Sequence, residues 1–141
     1  MATLGTLFAI TIDGPDPLEL ANFYQKITGG ELLTGNDDFI VLAIEDNVRL
    51  DFQRVANHQP PPWPDPTTPR RIHLDFRVDN LDQAQTQLLN LGAVLPPFQP
   101  GGQRFRVLLD PAGHPFCIAT KEAAAPPQTP PAHRNSGVTP T

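Results

Sequence analysis

Apolar and polar positions alternate from Thr6 to Asp13, with Phe8, Ile10 and Ile12 on one side, which predicts a half-buried strand. Asp16 follows as an N-cap, with Pro17 at the first helical position and Glu19 at the third. Leu20, Phe23, Tyr24 and Ile27 then recur at helical spacing, and Gly29-Gly30 ends the run. The same order returns from residue 70. Ile72, Leu74, Phe76 and Val78 alternate as a strand, Asn80 caps with Gln83 three residues on, and Leu81, Ala84, Leu88 and Leu91 form a helical stripe that stops at Gly92. Each helix is followed by strand-like runs, Phe39–Ile44 and Val48–Arg54 in the first half, Phe105–Leu109 and Phe116–Ala119 in the second. Shorter strands are expected near Glu31–Thr34 and Ala93–Leu95.

Strand, helix and strands written twice predict an α+β protein in which the helices cover one sheet face and leave the other free to curve. Two stretches interrupt the pattern. Residues 60–69 hold six prolines and cannot form an interior strand or helix. Residues 121–141 hold five prolines and almost nothing bulky and apolar, so they read as a disordered tail dispensable for folding. The organisation expected is a first βαβββ module at 1–58, a Pro-rich linker loop at 59–69, a second module at 70–120, and the tail.

Composition narrows the function classes. The net charge of −5 and the lack of a basic stripe argue against a nucleic-acid partner. No apolar run approaches a membrane span, and MATLGTLFAI does not read as a signal peptide, so the expected location is the cytoplasm. The single cysteine, Cys117, excludes an internal disulfide.

Several segments resemble the vicinal oxygen chelate superfamily of glyoxalases, bleomycin-resistance proteins and dioxygenases. They are Asp16-Pro17 with Asn22-Phe23-Tyr24 and Gly29, His73-Leu74-Asp75 leading to Val78-Asp79-Asn80-Leu81, Leu91-Gly92-Ala93, and the hairpin Leu109–Cys117. Phe52–Val55, Pro61–Pro64 and Gly113–Cys117 are similar to its glyoxalase-like domain subgroup. The resemblance covers roughly residues 4–120. It implies paired βαβββ modules forming an incomplete barrel around a small-molecule cup, with metal ligands, where present, on the first and last strands of each module.

Strand parity then selects the cup-facing residues: Arg49, Asp51 and Gln53 on one strand, His73, Asp75 and Arg77 on another, with Arg104 and Arg106 adding positive charge. The resemblance assigns His73 to a ligand position and brings Gln53 near another. It puts Cys117 where the family has a glutamate, and leaves only Leu7 or Phe8 at the first-strand position. That donor set is poor for zinc or iron, so no cofactor is favoured, and His73 with Gln53 would serve any divalent metal. Residue by residue, Cys117 reads as a small buried hydrophobe, His114 as a turn residue, His73 as either a ligand contact or a cross-strand hydrogen-bonding group, and Trp63 as either a lid over the cup or a plug for the sheet edge, with contact to the cavity favoured. The candidate ligand-binding set is His73, Gln53, Asp75, Arg77, Asp51, Trp63, His114 and Cys117. Its arginines suit a polar or anionic small molecule. The resemblance also leaves open a metal-dependent lyase, isomerase or dioxygenase using His73, a drug-sequestering resistance protein, and a non-catalytic partner-binding module. It further implies a homodimer.

Overall fold

The computed structural model describes residues 6–45, 47–67 and 72–124. The first module contains β1 (Ala9–Gly14), α1 (Pro17–Thr28), β2 (Glu31–Asn36), β3 (Phe39–Ala43) and β4 (Arg49–Arg54). Its strands lie in the order β1-β4-β3-β2, so the first and last strands of the module are neighbours and run parallel. The second module contains β5 (Leu74–Arg77), α2 (Leu81–Asn90), β6 (Phe105–Leu109) and β7 (Pro115–Ala119), with the order β5-β7-β6. Again its first and last strands pair in parallel. The result is an α+β fold of two mixed sheets that do not close into a barrel.

Local chemistry places the helices where the sequence pattern expects them. The Asp16 carboxylate accepts from the Glu19 amide at 3.2 Å, and the Asn80 side chain accepts from Gln83 at 2.9 Å. Gly29 ends α1 in the left-handed region at φ 69°. The apolar stripe of α1 buries Leu20, Ala21, Phe23 and Tyr24 against Leu42, Leu50 and Phe52 of the first sheet. The same helix also reaches the second sheet. Tyr24 stacks 5.7 Å from Phe52 and lies 6.1 Å from Phe76 and 6.2 Å from Phe116. One aromatic cluster therefore joins the two modules into a single core.

The second module departs from the expected pattern at its second strand, the one due after α2. Near Ala93–Leu95 only an isolated bridge forms, Val94 opposite Leu109. Pro96, Pro97 and Pro100 withhold the amide donors a longer strand needs. The Gln99 carboxamide takes over, donating to Val107 O at 2.8 Å and accepting from Val107 N at 2.9 Å. A side chain thus makes both bonds of a missing strand and caps the sheet edge.

The strand expected from residue 70 is also shorter than its alternation suggests. Residues 70 and 71 lie outside the described set, and Ile72 precedes β5 and is 85% exposed. A short helical turn, α3 (Lys121–Ala124), extends the chain past β7, and the rest of the expected tail lies outside the described residues. No helix among the described residues is long and apolar enough to cross a membrane.

Candidate functional site

The helix-free faces of the two sheets carry the polar residues selected by parity. On the first sheet, register pairs Ala9 with Arg49, Thr11 with Asp51 and Asp13 with Gln53. Asp51 is buried, at 3% exposure, and is held by Arg49. The Arg49 Nε lies 2.9 Å from Oδ1 and 3.2 Å from Oδ2, with the directed hydrogen bonds going to Oδ2. The same guanidinium sits 5.2 Å over the Phe8 ring. Gln53, in register with Asp13, is exposed.

On the second sheet, register sets Asp75 beside Cys117 and Arg77 beside Ala119, with Val107 and Phe105 beyond. This face lines a cavity of about 820 Å³ whose wall includes His73, Asp75, Arg77, Arg104, Phe105 and Cys117. A smaller cavity of about 280 Å³ lies between β1 and the entry to β5, and shares His73 with the first. The structure thus brings His73, Asp75, Arg77 and Cys117 together. Asp51, Gln53 and Trp63 line neither of these two cavities. Trp63 packs on Phe98, with ring centroids 5.8 Å apart. His114 lines the smaller cavity, and its Nε2 donates to the Asp13 carbonyl at 2.6 Å.

Arg106 does not face the cup. It is in register with Ile118 on the helix side, where it donates to Gln85 at 2.7 Å and to Asp82 of α2 at 3.1 Å. Arg104 shares its parity yet lines the cavity, because it lies in the turn before β6, bonded to Gly101 O, where the pleat no longer sets side-chain direction.

The arginines divide cleanly by partner. Arg49 pairs with Asp51, Arg54 with Asp38 and Arg106 with Asp82. Arg77 and Arg104 make no ion pair or side-chain hydrogen bond among the described residues, and both line the larger cavity. The carboxylate in the same wall, Asp75, lies 3.5 Å from His73 Nε2.

One imidazole, one carboxylate and one thiol, from His73, Asp75 and Cys117, lie within 4.8 Å of one another and make a potential metal-binding triad. A metal held between both modules, as the family resemblance implies, does not fit the rest of the site. At the matching end of the first sheet stand Leu7, Phe8 and the guanidinium of Arg49, two apolar side chains and a cation. Two more guanidiniums, Arg77 and Arg104, share the cavity with the triad and oppose a divalent cation there.

Sequence reasoning missed the supports behind the site. Tyr24 donates its phenolic proton to Asp110 Oδ2 at 2.6 Å, and Asp110 Oδ1 accepts from the amides of Ala112 and His114. Burial, and next the charge of Asp110, push the Tyr24 pKa well above the ordinary phenol value. His58 donates to Ala112 O at 2.6 Å and lies 5.2 Å from His114, fastening the end of the first module, just before the linker, to the same turn. Gly113 sits at φ 88°, and a Cβ there would collide with Pro60. The Asp-Pro-Ala-Gly run was legible as a turn, but its partners 86 and 54 residues away were not.

Residues 9–119 match the family described as glyoxalase-like domain. No curated protein matches the chain in sequence. Among solved structures, the chain is similar to a glyoxalase/bleomycin resistance protein/dioxygenase family enzyme from Burkholderia phytofirmans PsJN. The identity is 21%, covering 82% of this chain and 98% of that one, with a TM-score of 0.61. It is also similar to a variant of the fosfomycin resistance protein FosX from Listeria monocytogenes, complexed with Mn(II) and 1S,2S-dihydroxypropylphosphonic acid. There the identity is 17%, the coverage 83% and 93%, and the TM-score 0.63. A third likeness is to TnmS3, an antibiotic binding protein from Streptomyces sp. CB03234, at 17% identity, 85% and 98% coverage and a TM-score of 0.53.

Proposed function

The chain belongs to the glyoxalase-like domain family, whose fold can hold small molecules, and on that premise we propose that it binds a small anionic organic molecule in the larger cavity. The observation that carries this reading is the pair Arg77 and Arg104, two guanidiniums without an acidic partner among the described residues, lining one concave face. A planar guanidinium matches the oxygens of a carboxylate or phosphate, and two of them on one concave face present converging donors to an anion. Phe105 supplies an apolar wall beside them, and His73 a hydrogen-bonding group at the other end. Proteins of this fold hold small molecules: a FosX variant was crystallised with Mn(II) and a phosphonic acid, and TnmS3 is an antibiotic binding protein. The ligand is held without a resident divalent cation. A thermal-shift screen of small carboxylates and phosphates tests the reading. Binding should raise the Tm of the wild type and leave that of Arg77→Gln/Arg104→Gln unchanged.

A homodimer is part of the same proposal. Leu7 and Phe8 lead into the edge strand β1, and Ile72 leads into the edge strand β5, and all three are exposed. Open sheet edges flanked by exposed apolar side chains favour pairing with a second copy. Light scattering at tens of micromolar protein should report twice the chain mass, and a monomer would refute it.

A further inference from the structure

The wall of the larger cavity contains a nucleophile that anion binding alone does not need. Cys117 is 3% exposed, and what it does expose borders this cavity, so reagents reach it by entering the cavity. Its sulfur shares a 4.8 Å cluster with an imidazole nitrogen of His73 and a carboxylate oxygen of Asp75, and His73 Nε2 is 3.5 Å from Asp75. A thiol with an imidazole within reach has the parts of an activated nucleophile, Asp75 stands beside that imidazole, and such contacts are often loose before a ligand binds. Arg77 lies two residues beyond Asp75 on the same strand face, and Arg104 lies in the same wall.

We infer that Cys117 is a nucleophile which this cavity presents to small anionic electrophiles, namely aldehydes or ketones that carry a carboxylate or phosphate. The inference rests on the anion-binding reading of the same cavity and deepens it by naming the reactive carbon. The anionic group lies on Arg77 and Arg104, which leaves the carbonyl toward Cys117. The sulfur adds to the carbonyl carbon, the C=O π pair moves onto oxygen, and the thiol proton travels through His73 to that oxygen. The product is a hemithioacetal or hemithioketal. Nothing is oxidised or reduced, no group leaves, and the addition is reversible.

Because Cys117 is the sole cysteine of the chain, alkylation reads this one site. The probes are iodoacetate, which is anionic, and iodoacetamide, its neutral counterpart. In either case sulfur displaces iodide, a C–S bond replaces the C–I bond, and the thiol proton is released. The quantity measured by intact mass is the ratio of the two rates, in the folded protein and in the same protein unfolded in guanidinium chloride. The cavity should raise the iodoacetate-to-iodoacetamide ratio about tenfold over the unfolded chain, the low end of what a charged cleft does to a counter-ion. Arg77→Gln/Arg104→Gln, both at exposed positions, should return the ratio to the unfolded value. An unchanged ratio, a folded protein that resists both reagents, or a raised ratio indifferent to the arginines would overturn the inference. Inorganic phosphate binding, followed by NMR on the same samples, separates the two readings. Phosphate binding with an unselective or inert Cys117 sinks the nucleophile alone. Absence of phosphate binding sinks the anion site on which it rests.

Discussion

The phenol of Tyr24 on α1 donates to Asp110 in the β6–β7 turn at 2.6 Å, joining the first module to the second through a buried hydrogen bond. Asp110 is 2% exposed and accepts two further bonds from backbone amides of its own turn. A carboxylate this deep is tolerated because donors surround it. Removing the phenol leaves Oδ2 buried without that partner. Tyr24→Phe should therefore lower stability by about 1–3 kcal/mol, the cost of an unsatisfied buried group. Asp110→Ala should cost more, since three donors lose their acceptor at once. Urea unfolding of both variants and of the double variant checks this, and strict additivity would show that the two residues do not interact.

The same bond sets a pH dependence. The folded state holds the Tyr24 proton more tightly than the unfolded chain does, because the raised pKa favours the neutral phenol. Stability from this group is therefore complete below the unfolded value, near 10, and is lost as pH climbs from there toward the folded value. Wild-type Tm should drop more steeply above pH 10 than that of Tyr24→Phe. Parallel curves would contradict the assignment.

Leu74, which opens β5, and His73, which precedes it, should separate stability from binding. Leu74 packs on the core beside Phe116 and borders only the smaller cavity, while His73 borders both. Leu74→Ala should destabilise by about 2 kcal/mol, toward the low end for core truncations because the side chain is only partly buried. Phe52→Ala, at a fully buried site, should cost about 3–5 kcal/mol. His73→Ala should stay folded and lose ligand affinity by about 1–3 kcal/mol. A folded Leu74→Ala beside an unfolded His73→Ala would reverse the two roles.

Metal content gives a separate check. Protein purified without added metal should carry well under one equivalent of zinc, iron, manganese or nickel by plasma mass spectrometry. Leu7, Phe8 and Arg49 stand where a first-module ligand would be needed. Stoichiometric metal lost on His73→Ala would show instead that His73, Asp75 and Cys117 hold an ion by themselves.

Much of the fold could be read from local pattern because period-two alternation and helix caps are local chemistry. Asp16, Asn80 and Gly29 act where their types lead one to expect. Parity also placed Asp75, Arg77 and Cys117 on one face, since β5 and β7 are regular there, and His73, just before β5, lines the same cavity. It failed for Arg106. A charged residue in a strand reads as outward-facing, yet Gln85 and Asp82 on α2 supply partners at the margin of the helix layer. Gln53 shows the limit of motif position. It keeps its place on β4, but the larger cavity forms on the second sheet, and how two sheets curve is a long-range outcome. The strand expected near Ala93–Leu95 is cut short by Pro96-Pro97, and its replacement by one glutamine side chain needed three-dimensional proximity.

The most direct test of the account is an NMR titration of the isotope-labelled wild type with inorganic phosphate, repeated on Arg77→Gln/Arg104→Gln. The account predicts saturable amide shifts confined to residues 73–77, 104–107 and 117–119 in the wild type, and none in the variant. Absence of saturable shifts in the wild type, or the same shifts after both arginines are replaced, would contradict it.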